Sequence, residues 1–109
     1  MTTARRTLDL TMNEAEWQRT VTDLARTLGY LIYHTQDSRR SASGFPDLVL
    51  VRDRVIFAEL KTERGRMTGA QHWWVSTLRV ARAEVYVWRP SDYDMVERTL
   101  RVPTRVERP

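Results

Sequence analysis

Apolar residues along this chain follow two different periods. Trp17, Val21, Leu24, Ala25 and Leu28 recur at three and four, the stripe of an amphipathic helix, and Gly29 is placed to end it. Asn13 and Glu16 fit a capping box at its start, with Met12 and Trp17 positioned as the hydrophobic staple. Residues 30–34, YLIYH, are aromatic and branched and predict a first strand, and the apolar runs at 48–51 and 55–60 predict two more. Thr68 with Gln71 then predicts a capped helix through Val80, on which Gln71, Trp74, Val75 and Leu78 share one side. Residues 84–88, EVYVW, predict a fourth strand stopped by Arg89-Pro90. Ser91 or Asp92 is placed to cap a last helix to Leu100, with Tyr93, Val96 and Leu100 inward.

The predicted order is helix, three strands, helix, strand, helix. Three consecutive strands can form an antiparallel meander, whereas the strand, helix, strand unit from 55 to 88 should cross over and lie parallel. This predicts an α/β fold, a mixed four-stranded sheet between helices. Residues 13–100 form the expected single domain. Residues 1–12 show no clear period and read as an N-terminal arm, and residues 101–109 read as a basic, unstructured tail.

Residues 44–61, GFPDLVLVRDRVIFAELK, carry charges where a buried hairpin should have none. Residues two apart on a strand share a face, so Glu59 and Lys61 lie side by side. The hairpin register decides whether Asp47 joins them. A three-residue loop, Arg52, Asp53 and Arg54, sets Val51 against Val55, Val49 against Phe57 and Asp47 against Glu59. A two-residue loop would turn Asp47 to the opposite face. The stretch lacks the Asn-Gly or Asp-Gly signature of tight hairpins, which favours the longer loop.

On the helical wheel Glu14 lies seven residues before Val21 and falls on the inward stripe, while Glu16 points away as a cap. An inward carboxylate needs a partner, and Gln18, one turn on, is placed to steady it. A first-turn acid favoured by the helix dipole is the simpler alternative for Glu14.

Charge adds a class of partner. Eighteen basic residues against fourteen acidic give +4 and a pI near 10.1, which suits a polyanion. Arg39 and Arg40 in the polar loop 36–43, and Arg64 and Arg66 after the hairpin, are candidate phosphate contacts; a solvated loop is the alternative. Seventeen of the eighteen basic residues are arginine, and Lys61 alone is lysine. An ammonium is a compact donor with a tunable pKa, so lysine at this position has a chemical motive. With no cysteine there is neither a disulfide nor a thiolate site, and no stretch is long and apolar enough to span a membrane. A cytoplasmic protein of a bacterium or phage is expected. His34 reads as a strand-end residue, and Trp73, off its helix stripe, as a stacking or packing residue.

An acid opening one strand, an acid-x-lysine closing the next and a glutamate on the preceding helix are the parts of a metal-dependent phosphodiester hydrolase. Asp47 and Glu59 supply hard oxygen ligands for Mg²⁺, Glu14 could reach a second ion, and Lys61 would orient water and offset developing charge. Pro46-Asp47 followed by Glu59-Leu60-Lys61 resembles the PD-(D/E)xK nuclease superfamily. GFPDLVLV, FAELKT, Gln71 and VWRPSD together resemble the VRR-NUC family within it, over about 14–92. The resemblance implies a restriction-endonuclease-like αβββαβ core and dependence on Mg²⁺ or Mn²⁺. It carries metal binding to Asp47, Glu59 and Glu14, catalysis to Lys61, and supporting roles to Gln18 and Gln71. It also implies a preference for branched DNA, such as four-way junctions, cut by a homodimer. A nuclease subunit directed by another protein, and a DNA-junction-binding module without catalysis, are the competing readings.

Overall fold

A computed structural model describes residues 3–35 and 42–102. Its elements are α1 (Thr3–Thr11), α2 (Glu14–Thr27), β1 (Leu31–His34), β2 (Leu48–Val51), β3 (Val55–Leu60), α3 (Gly69–Val80), β4 (Glu84–Trp88), a 3₁₀ turn (Pro90–Asp92) and α4 (Tyr93–Arg101). The sheet order is β1-β2-β3-β4, with the first two pairings antiparallel and β3 parallel to β4, as the sequence pattern predicts.

The hairpin adopts the register set by the three-residue loop. Val51 pairs with Val55, Val49 with Phe57 and Leu48 with Ala58, and one further step sets Asp47 opposite Glu59. The turn closes through the Arg52 N–H donating to the Arg54 carbonyl at 3.0 Å.

One sheet face carries the main core. Leu48, Leu50, Ile56, Ala58 and Leu60 pack there with Trp17, Val21 and Ala25 of α2 and Val96 and Leu100 of α4. Truncating one of these large side chains to alanine would cost about 2–5 kcal/mol. The other face is covered by α3, whose Val75 is buried and whose Trp74 meets Phe45 edge-on at 5.0 Å; Phe45 in turn meets Phe57 at 5.9 Å. Both predicted capping boxes are present, Asn13 with Glu16 and Thr68 with Gln71. Gly29, just past α2, takes φ +90°, the left-handed conformation that a C-terminal glycine permits.

Two expectations fail at the ends. The arm expected at 1–12 is, from Thr3 to Thr11, a helix, which lies against the 3₁₀ turn with Arg5 donating to Asp94 at 3.0 Å. Its sequence hides it because it has little apolar stripe, and Leu8 stays exposed. At α4 neither Ser91 nor Asp92 caps the helix through its side chain. Asp92 Oδ2 turns back to accept the Arg89 N–H at 2.8 Å, which closes the 3₁₀ turn that Pro90 begins. The first residue assigned to the tail, Arg101, belongs to α4, and residues 103–109 lie outside those described. Among the described residues no helix is long and apolar enough to cross a membrane.

Candidate active site

The charged cluster sits where β1, β3 and β4 end and β2 begins. Each letter of Gly44-Phe45-Pro46-Asp47 has a local task there. Gly44 takes φ +86°, and a Cβ on it would come within 2.4 Å of the Ala70 carbonyl carbon at the start of α3. Only glycine allows so close an approach of two backbones. Phe45 then packs on α3, Pro46 is buried, and Asp47 emerges at the mouth of the hairpin. Thr35, just past β1, fixes this backbone by donating its N–H to the Asp47 carbonyl at 2.9 Å and its hydroxyl to the Pro46 carbonyl.

Asp47 Oδ2 accepts the Leu60 N–H at 2.9 Å, which ties the acid of one strand to the backbone of the next. Glu59 is 1% exposed, and its Oε1 is buried without a hydrogen-bond partner in the protein. Lys61 Nζ lies 3.8 Å from Glu59 Oε2. The Lys61 backbone is held as well, since its N–H donates to the Trp88 carbonyl at 3.0 Å. The same carbonyl accepts Trp17 Nε1–H at 2.9 Å.

Electrostatics follow from this crowding. Burial raises the Asp47 carboxyl, with the Glu14 charge adding to it, while the Leu60 N–H and Lys61 pull it back. Burial, then the nearby Asp47 charge, push Glu59 up to about 8. Two adjacent carboxyls in a poorly hydrated place cannot both ionise cheaply unless a cation joins them. An orphaned, buried carboxylate oxygen beside a second carboxylate is a donor set that fits a hard divalent ion, and Mg²⁺ takes only one or two protein carboxylates. Among the described residues no three of His, Cys, Asp and Glu converge as a ready-made metal cage.

The remaining predicted residues divide. Glu14 is not on a buried face; it is the exposed first residue of α2. Its wheel angle matches that of Val21, yet at the first position of the helix its side chain stands in solvent. Its charge still reaches both Asp47 and Glu59, so it stands at the rim of the site. Gln18 does not steady Glu14; its amide lies 3.1 Å from His34 Nδ1, joining α2 to the end of β1. Gln71 Oε1 accepts the Thr68 N–H at 2.8 Å in the capping box. Arg64 and Arg66 lie beyond Lys61 around a hollow, Trp73 is 73% exposed on α3, and Arg39 and Arg40 lie outside the described residues.

Thr35, Trp88 and Arg89 hold the backbone around the site, Trp88 by its carbonyl, Thr35 by its N–H and hydroxyl and Arg89 by its guanidinium, and the strand pattern gave no sign of it. Only Arg89 had a signal, an arginine between a strand end and a proline in VWRPSD.

The VRR-NUC domain family model matches residues 5–92, which includes most of α1 and every strand of the sheet. The chain belongs to the VRR-NUC domain family. The match spans most of this VRR-NUC chain. It is also similar to a Fanconi-associated nuclease 1 homolog of Schizosaccharomyces pombe, 38% identical over 56 residues. That similarity covers 49% of this chain and 8% of the relative. No solved structure matches the chain at comparable strength.

Proposed function

We propose that this VRR-NUC domain is a metal-dependent endonuclease that hydrolyses phosphodiester bonds in branched DNA, such as four-way junctions, and works as a homodimer. The observation that carries the reading is the buried, unpaired Glu59 Oε1 beside Asp47 and Lys61. Leaving such an oxygen without a partner is costly, and the cost is removed if the site takes a cation.

Asp47 and Glu59 are the residues that would hold Mg²⁺ or Mn²⁺, which when bound polarises the scissile phosphate and acidifies an attacking water. Lys61 presents its ammonium to a phosphate oxygen and offsets the negative charge that grows as the bond to phosphorus breaks. Asp47 is kept in place by the Leu60 N–H, and Lys61 by the Trp88 carbonyl. Glu14, at the rim, supplies a further acceptor for water or for a second ion. The homodimer follows from the branched-DNA reading, because one small domain cuts one strand and paired cuts need two sites. The apolar groove along Trp73, Ser76, Thr77 and Val80, about 300 Å³, offers a face for a second copy.

The test is cleavage of a panel of DNAs with Mg²⁺ or Mn²⁺: four-way junction, flap, single strand and linear duplex. Cleavage of the junction above the duplex supports the reading. Binding of the junction without cleavage overturns the enzyme, and cutting of linear duplex at one sequence overturns the structure selectivity.

A further inference from the structure

Residues 62–67 connect Lys61 to the cap of α3, and the protein spends several strong hydrogen bonds on their shape. Gly65 N–H donates to the Thr62 carbonyl at 3.2 Å, forming a tight turn. Arg89, the first residue after β4, reaches under that turn. Its Nη1 donates to the carbonyls of Thr62 at 2.7 Å, Glu63 at 3.3 Å and Gly65 at 2.6 Å. Glu63 is occupied too, with Oε1 accepting the Ser91 N–H at 3.0 Å and Oε2 lying 3.8 Å from Arg6. Arg89 and Glu63 are thus both committed to holding the loop.

The turn borders an open hollow of about 450 Å³, lined by Arg64, Gly65, Arg66, Met67, His72 and Arg89, with Glu63 at its edge. Among the described residues, the side chains of Arg64, Arg66 and His72 have no hydrogen bond or ion pair to the protein. A preformed concave wall with two unspent guanidiniums and an imidazole suits a phosphodiester, whose oxygens match the guanidinium fork. The hollow also adjoins the catalytic lysine. Gly65 backs onto the Lys61 side chain, so that a Cβ there would lie 3.7 Å from Lys61 Cδ and 2.8 Å from Thr62 Oγ1.

We infer that this hollow is a second phosphate site, which holds through Arg64, Arg66 and His72 the phosphodiester adjacent to the scissile one on the strand being cut. The inference rests on the nuclease reading for the scissile position alone. Arg89 acts as a positioning residue that keeps the loop open before DNA arrives, so little ordering is left for the binding step.

The experiment measures binding of the full chain to a four-way junction without divalent cation, so that no cleavage is needed. Single methylphosphonates, which remove one charge at a time, are walked along one strand. In the wild-type protein two neighbouring positions should each weaken binding about tenfold. Lys61→Ala should abolish the effect at one, and the double variant Arg64→Ala/Arg66→Ala the effect at its neighbour. The double variant should also lower the slope of log Kd against log salt by about one, as expected for one lost phosphate contact. The control pair Arg79→Ala/Arg98→Ala, equal in charge lost and remote from the hollow, should leave the neighbour effect intact. The inference is overturned if the Arg64/Arg66 variant keeps the neighbour effect, or if the control pair abolishes it. Failure of the wild-type protein to cleave with metal overturns the nuclease reading and leaves this binding result standing.

Discussion

Trp17 and Lys61 are joined through a single atom, the carbonyl oxygen of Trp88, which accepts the indole N–H of the first and the backbone N–H of the second. The main core and the lysine of the charged cluster are therefore mechanically linked. Trp17→Phe keeps most of the packing and removes one buried hydrogen bond. Loss of that bond and of the second ring should cost about 1–3 kcal/mol of stability in chemical denaturation. Cleavage, assayed where the variant is fully folded, should fall as well, because the end of β3 is then held by one fewer contact.

Gly44 is a second point where backbone geometry reaches the site. At φ +86°, with Ala70 backbone 2.4 Å from where a Cβ would stand, any side chain must displace the start of α3 or the segment leading to Asp47. Gly44→Ala should lower stability by about 2 kcal/mol or more, on the scale of a strained left-handed residue plus a clash. Thermal denaturation beside Gly69→Ala checks this, since a Cβ at Gly69 meets nothing within 4 Å.

The hairpin, its register and the acid-x-lysine face were legible in the sequence because strand alternation and loop length fix them together. Asp47 opposite Glu59 follows from counting outward from Arg52, Asp53 and Arg54. What could not be read was held by interactions without a period. Helix α1 is joined to the rest through a residue 89 positions from Arg5, and the loop after Lys61 depends on one guanidinium reaching three carbonyls. Glu14 misled because a wheel reports an angle and not the exposure of a side chain in the first turn. The motif letters of Gly44 and Phe45 were visible, but the close approach to Ala70 that requires the glycine is a tertiary fact.

Arg54 tests how far the register depends on the turn. It donates from Nε to Glu84 Oε1 at 2.9 Å, makes a second contact from Nη2 to Glu84 Oε2, and donates from Nη1 to the Thr99 carbonyl at 2.9 Å. Tyr86 adds its hydroxyl to Glu84 at 2.6 Å. Arg54→Ala should cost about 2 kcal/mol or more by leaving this partly buried carboxylate with the Tyr86 hydroxyl and no countercharge. Arg54→Lys should recover only part of that, since an ammonium cannot reproduce the fork, and urea unfolding of both variants provides the comparison.

Glu59 predicts a pH dependence with a definite sign. Its folded carboxyl is pushed up to about 8 from an ordinary 4.5, so the folded chain keeps a proton that the unfolded chain releases. The stability it contributes is fully present below about 4.5 and is lost as pH rises through about 8. Asp47, also raised, acts in the same direction. Without divalent cation the Tm should fall from pH 5 to pH 9, and Glu59→Gln should flatten that fall. Added Mg²⁺ should raise the Tm more at pH 9 than at pH 5, because it favours the ionised pair.

The most direct test of the site is strand cleavage of a four-way junction with Mn²⁺ or Mg²⁺, comparing wild type with Asp47→Asn and Lys61→Ala at matched folded fraction. Cation-dependent cleavage by the wild type, reduced about 100-fold or more in each variant while junction binding persists, is expected. Cleavage that survives either substitution, or that proceeds equally in chelator, would contradict the assignment of Asp47, Glu59 and Lys61 as the active site.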